Sequence, residues 1–395
     1  MINAASACTA EIDDINIACR QIKAQIDEKL ALMRNTVGIV QCNPEFVEAG
    51  IIEVLYRELN IPLVGGTTVA SAVNNGIDDM MFSIIVLTSN DVEFVVSHTK
   101  GLENDCMEAV KNSLREELEK PRKFSNDPLK MILVFPPIID AVAGDEYIEA
   151  IESVCGRIPV FGTLSVDDSL EKFDRSASVC NDNLYRYEMT YVMLFGNVHP
   201  RFFVTTVPKL SSLSESSATI TRSSGNVAYE INNMCAINYF EKIGLASSGK
   251  LKSGEVFIPL LMTLPDGEEN VPHIRALIRA DPDGSVVFRG KVIEGARFLF
   301  GSNTSADVLS STFDTLVKIN SEINANAVLL FSCIIRQLVI GSDSMRELAH
   351  VKDLLADNVP FLASYAGGEI APTGIDSGGN AQNRFHNYSF IACLL

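Results

Sequence analysis

Residues 327–395 read AVLLFSCIIRQLVIGSDSMRELAHVKDLLADNVPFLASYAGGEIAPTGIDSGGNAQNRFHNYSFIACLL. The apolar run Ala327–Ile335 has the length and content of a buried strand. Arg336 follows it, and Asp343 opens a helix that runs to about Leu355. Val359–Ser364 reads as a second strand. Tyr365–Pro372 reads as a turn built on Gly367–Gly368, and Tyr388–Leu395 is a last buried strand. Open α/β sheets bind ligands at strand ends and in the loops beyond them. The expected site is therefore Cys333, Arg336, Ser364, Tyr365, Gly368, Glu369, Arg384 and Asn387. A guanidinium just past a strand is a good carboxylate clamp, because its fork matches two oxygens. Its other use would be a structural ion pair with Glu369 or Asp343. A glutamate after a glycine turn suits an ammonium group, so Arg336 and Glu369 together would suit a zwitterion. The Gly374–Gly379 loop is polar and could close as a lid.

The same grammar recurs upstream. Phe82–His98 reads as a hairpin, Glu103–Lys120 as a helix, Met131–Phe135 as a strand, Asp145–Cys155 as a helix and Ile158–Gly162 as a strand. The later series is Ile274–Arg289, Ala306–Lys318, Ala327–Cys333, Asp343–Leu355 and Val359–Ser364. A strand–helix–strand unit also spans Gly38–Gly66. Pro62, Pro159 and Pro360 each stand near the start of a short strand. The fold class is α/β, with two related halves. Each is a mixed β-sheet covered by helices, with repeated β-α-β units. Ser211–Ser217, the most polar linker, divides domain 1–210 from domain 211–395.

The chain has 395 residues, 47% hydrophobic and 21% charged, enough for two globular domains. The formal charge of −18 disfavours nucleic acid and anionic membrane as partners. No apolar run approaches the roughly 18 residues of a membrane helix, so no membrane insertion is expected. No signal peptide is read at the N-terminus. Nine scattered cysteines without a Cys-x-x-Cys pair point to reduced thiols in a cytoplasm.

Other constellations carry less. Gly65–Gly66–Thr67–Thr68 and Gly162–Thr163 could present N–H groups to an anion but match no nucleotide fingerprint. Cys42 and Cys333 end strands as small hydrophobes do. A nucleophilic Cys333 would need a base such as His386. No two of His98, His199, His273, His350 and His386 have zinc-ligand spacing, although a single haem-ligating histidine needs no such spacing. Asp167–Asp168 reads as a solvated turn. No cofactor is expected.

The segments LFSCIIRQLVIG, VPFLASYAGGEIAP and NRFHNYSFIACLL resemble the end of the C-terminal half of FIST (F-box and intracellular signal transduction) proteins. ITRSSGNVAYEINNMCAINYFEKIGL resembles the start of that half, with Cys235–Ala236 where the family usually shows Pro-Ala. Thr36–Thr206 is similar to the N-terminal half. Its IPLVGGTTVAS segment carries Ala70–Ser71 where a Glu is common. The resemblance implies a cytoplasmic, non-catalytic sensory protein for a small molecule, an amino acid or similar metabolite. It also implies a signalling partner protein such as a histidine kinase or chemotaxis component, since the chain leaves no room for an output domain. Two alternatives remain: a haem-based nitric oxide sensor and a Cys-dependent hydrolase or transferase.

Overall fold

The chain lays down the same series of elements three times. The first unit is β1 (Ile2–Thr9), α1 (Ile15–Lys29), β2 (Asn35–Cys42), α2 (Pro44–Glu48), α3 (Ile51–Leu59), β3 (Leu63–Thr67), the hairpin β4 (Ser71–Val73) and β5 (Gly76–Asp78), and β6 (Phe82–Ser89). The second is β7 (Val92–His98), α4 (Cys106–Glu119), β8 (Leu129–Phe135), α5 (Gly144–Cys155), β9 (Val160–Thr163), the hairpin β10 (Ser178–Cys180) and β11 (Asn183–Tyr185), and β12 (Thr190–Gly196). The third opens with β13 (Arg201–Thr205) and is interrupted by an insert. The insert holds β14 (Ala218–Ser224), β15 (Val227–Ile231), β16 (Met234–Cys235), α6 (Ala236–Lys242), β17 (Ala246–Ser247), β18 (Lys250–Leu251), β19 (Leu260–Thr263), β20 (His273–Arg275), β21 (Leu277–Ala280), β22 (Val286–Phe288) and β23 (Arg297–Phe300). The unit then resumes with α7 (Ser305–Ser321), β24 (Val328–Cys333), α8 (Ile334–Ile340), α9 (Arg346–Leu354), β25 (Phe361–Ala366), the hairpin β26 (Glu369–Ile375) and β27 (Ala381–His386), and β28 (Phe390–Leu394). This computed structural model describes residues 1–102, 105–122, 127–169, 173–208, 217–251, 258–263, 273–302, 304–322, 324–355 and 359–395.

Three six-stranded sheets result, with orders β1-β6-β2-β3-β10-β11, β7-β12-β8-β9-β26-β27 and β13-β28-β24-β25-β4-β5. In each, the two central strands are parallel, as a β-α-β connection requires. The last two strands are always a hairpin from another unit. Unit one lends its hairpin to the third sheet, unit two to the first, and unit three to the second. Gly65 and Gly162 hold equivalent places in β3 and β9, at φ 154° and 153°. A Cβ there would lie 2.0 Å from the Val40 carbonyl oxygen and 1.9 Å from that of Val134, so glycine lets the parallel neighbour approach.

Burial follows from this geometry. One central cluster takes side chains from all three sheets, among them Ile39, Leu133 and Leu329. On its outer face each sheet builds a second cluster beneath its own helices: α1 and α3, α4 and α5, α7 and α9. The insert has a core of its own around Phe240, Phe288 and Phe298. Among the described residues, no helix is long and apolar enough to cross a membrane.

The α/β class, the mixed sheets and the repeated β-α-β units agree with the sequence. The unit occurs twice in the first half and once in the second, and Met131–Phe135 and Ala327–Cys333 do occupy matching strands, β8 and β24. Other expectations are corrected. β6 and β7 are no hairpin, since they pair in different sheets. Arg336 lies on α8, because the strand stops at Cys333. Only Gly367–Gly368 turn; Glu369–Ile375 and Ala381–His386 are paired strands. The Gly374–Gly379 segment is their tight tip, where Asp376 accepts from Gly378 N and Asn380 N at 2.8 Å each. It closes the far end of the hairpin from Glu369, about 20 Å away at strand rise, so it is no lid over that residue. The expected linker Ser211–Ser217 lies, apart from Ser217, outside the described residues.

Candidate functional site

Cys333 ends β24 and precedes α8 directly, so its thiol sits where strand gives way to helix. Backbone N–H groups of Ile335 and Tyr388 point at it. Burial still dominates and pushes the thiol pKa well above its ordinary value, with the Glu369 charge adding to the rise. Such a thiol stays protonated and is a poor nucleophile, which tells against the hydrolase and transferase alternative.

Glu369 reaches Cys333 from the neighbouring sheet. The Gly367–Gly368 turn passes the chain from β25 to β26, where Glu369 pairs with Thr163 of β9. The turn has no room for side chains, since a Cβ on Gly367 would lie 2.6 Å from Ile138 and Val166. The Glu369 carboxyl is wholly buried. Its Oε2 accepts from Ser389 Oγ at 2.6 Å, while among the described residues its Oε1 has no hydrogen-bond partner. Burial raises its pKa well above the carboxylate range, against the opposing pull of the Ser389 hydroxyl, the Arg336 charge and the Cys333 thiol alongside.

Arg289 is the third member, and it comes from the insert. It follows β22, with its N–H bonded to the Ala276 carbonyl at 2.9 Å. Its side chain is 18% exposed, and Asp140, itself 71% exposed, stands 3.8 Å from it. Its guanidinium also lies 5.9 Å above the Phe173 ring, at the outer limit of a cation–π contact. Among the described residues no acceptor comes within hydrogen-bond distance of this guanidinium. Burial lowers its pKa, and the fields of Asp140 and of the Cys333 thiol oppose that shift. Glu369 and Cys333 thus meet in the core, and Arg289 lies within electrostatic reach of the Cys333 thiol.

The remaining expected residues divide. Arg336 is not a ligand clamp, because the fold uses its whole fork. Its Nε and Nη2 donate to Glu347 Oε1 at 3.0 and 2.7 Å, Nη1 to the Tyr388 carbonyl, and Nη2 also to the Val308 carbonyl and to Ser311 and Thr312. Its ion-pair partner is Glu347, not Glu369 or Asp343. Ser364 faces unit one and donates to Gln41 Oε1 at 2.9 Å. Tyr365 points the other way, to the Ser344 carbonyl at 2.9 Å. Gly368 gives its carbonyl to Leu164 N and Thr163 Oγ1. Asn387 accepts from Ala276 N at 3.1 Å and so fastens the insert. Arg384 lines a separate cavity of about 260 Å³ between α5 and the insert, with Asp145, Glu149, His273 and Lys291. Sequence reading missed Arg289, although VVFRG at 286–290 shows the pattern that drew attention to Arg336, an arginine closing an apolar strand.

Comparison with known proteins gives three results. A search of curated protein sequences found no match. Nine chains of solved structures match; a cyanuric acid hydrolase aligns over 100% of this chain and 99% of its own, at 10% identity and a TM-score of 0.32, too low to bear on function. The model of the FIST N domain matches residues 36–234 and that of the FIST C domain residues 239–372. Matched over most of its length by both domain models, the chain belongs to the FIST family.

Proposed function

We propose that this protein is a non-catalytic sensor for a small carboxylate-bearing metabolite, amino acids among the candidates, and that it signals through a separate partner such as a histidine kinase or a chemotaxis component. FIST domains are associated with sensory roles in signal transduction, which supports the broad reading. The observation that carries the finer one is Arg289. Its guanidinium is mostly buried, stands 3.8 Å from the exposed Asp140 and has no hydrogen-bonded acceptor among the described residues, and a ligand carboxylate would supply one. The raised thiol pKa of Cys333 favours binding over covalent chemistry. The insert that carries Arg289 is fastened to unit three through Asn387, so a ligand bridging the insert and unit three would give the partner a changed surface to read.

Calorimetry with a panel of amino acids and related carboxylates tests this. At least one should bind, and Arg289→Ala should weaken it at least tenfold, about 1.4 kcal/mol, without lowering the melting temperature. Binding that Arg289→Ala leaves unchanged, or no binding by any carboxylate, would sink the reading.

A further inference from the structure

We infer that the cavity of about 260 Å³ between α5, the insert and β27 is a second ligand site, and that it takes a small zwitterion, an ammonium and a carboxylate on an apolar frame. Arg289 does not line it, so this site is separate from the one proposed above. One wall is the helix α5. Asp145, Ile148, Glu149 and Glu152 follow one another at helical spacing, which puts all four on the face that lines the cavity. The opposite wall is basic, with Arg275 and Lys291 from the insert and Arg384 from β27. Ile148 and Met262, both buried, add apolar surface. Small-molecule sites start at roughly 300 Å³, so only a small ligand fits.

The charges of the two walls are only partly matched. Asp145 is paired with Arg275 Nη2 at 2.9 Å and Glu149 with Lys291 Nζ at 2.6 Å. Glu152 has no cation within ion-pair distance among the described residues; its Oε1 accepts from Asn383 Nδ2 at 2.9 Å. The Asn383 carbonyl accepts from Arg384 Nη1 at 2.9 Å. One buried residue thus positions both an acid and a base on the cavity wall. A ligand ammonium gives Glu152 the counter-charge it lacks, and a ligand carboxylate meets the Arg384 guanidinium. A ligand with one charge alone meets like charges on one of the two walls, which disfavours it. The walls belong to unit two, the insert and unit three, so an occupant braces the insert against the body. By linkage, occupancy tightens that docking.

The test is calorimetry on the full chain with valine, leucine and methionine, each beside the amine that lacks its carboxylate and the acid that lacks its ammonium. At least one zwitterion should bind at least tenfold tighter than both of its singly charged counterparts. Glu152→Gln should weaken it at least tenfold while urea unfolding stays unchanged, because the amide still accepts from Asn383. Arg384→Gln should weaken it as well. The bound ligand should slow hydrogen exchange across residues 273–302. Binding of none of the three, equal binding of a singly charged counterpart, or binding indifferent to Glu152→Gln would overturn this inference. A ligand weakened by Arg289→Ala and not by Glu152→Gln would overturn it while the sensing function stood. A zwitterion weakened by Glu152→Gln and not by Arg289→Ala would uphold this site against the Arg289 assignment.

Discussion

Arg336 Nη2 lies 2.7 Å from Glu347 Oε1, and neither side chain has any exposed surface. Ser332 Oγ and Thr312 Oγ1 donate to the same carboxylate, so the pair sits in a filled polar network joining α7, α8 and α9 to β24. Removing one partner strands a buried charge, which costs about 3–5 kcal/mol. Arg336→Met and Glu347→Leu should each lose about that much in urea unfolding, and the double variant should recover part of it. Arg336→Lys should also destabilise, because one ammonium cannot replace the fork. Ligand affinity of the folded fraction should stay unchanged in all of them.

Gly162→Ala should destabilise by at least about 3 kcal/mol, since it adds a steric clash to an unfavourable backbone conformation. The new Cβ would fall 1.9 Å from a backbone oxygen that cannot move without breaking the parallel pair. Gly65→Ala should behave alike. Gly50 is the control: at φ 84° a Cβ would meet nothing within 4 Å, so Gly50→Ala should cost only about 1–2 kcal/mol. Equal losses at Gly50 and Gly162 would show that packing between the strands is not the cause.

His386 has its pKa lowered to about 3 by burial and then by the charge of His273. Unfolded, it titrates near 6.5. A base depressed on folding contributes stability above its unfolded pKa and loses it as pH falls toward the folded one. Between about pH 6 and pH 3 the His386 contribution should fall by up to about 1.4 kcal/mol per unit. The difference between the protein and His386→Gln, measured by urea unfolding at several pH values, isolates this slope. A difference independent of pH would show that His386 is not held neutral.

The insert is held to unit two by cations on its own side and acids on the other. Arg275 Nη2 meets Asp145 Oδ1 at 2.9 Å, and Lys291 Nζ meets Glu149 Oε1 at 2.6 Å. Asp145 also accepts from Lys291 N at 2.7 Å. Asp145→Ala leaves the Arg275 guanidinium, 3% exposed, without its counter-charge. Docking should weaken by roughly 2–4 kcal/mol. Hydrogen exchange should rise across residues 273–302 while β24 and β28 keep their protection. Ligand affinity should fall with it, since Arg289 rides on the insert.

The sequence was legible where one physical rule dominates. Long apolar runs showed the buried strands, and the recurrence of proline at the start of short strands marked β3, β9 and β25 as equivalents. Glu369 and Cys333 were found because a glycine turn and a strand end announce them. What sequence could not show is where a strand pairs. The hairpin Glu369–His386 is too polar to read as buried strand, yet it pairs on β9, more than two hundred residues upstream. Arg336 and Arg289 look alike in sequence. Which of them is sealed depends on whether Glu347, one helix away, or Asp140, on an exposed loop, stands opposite.

The exchange of hairpins makes the three units a closed ring of mutual dependence. No sheet is complete until another unit has formed, because each takes its last two strands from elsewhere. The regions 36–234 and 239–372 recognised in the sequence are therefore not separate folding bodies. The first would lack β26 and β27 from its second sheet, would have no host for β4 and β5, and would omit β1 and α1. Expressed alone, it should remain partly unfolded and recover structure only when the rest of the chain is supplied. The intact protein should unfold in one step, with the loss of any one hairpin felt at all three sheets.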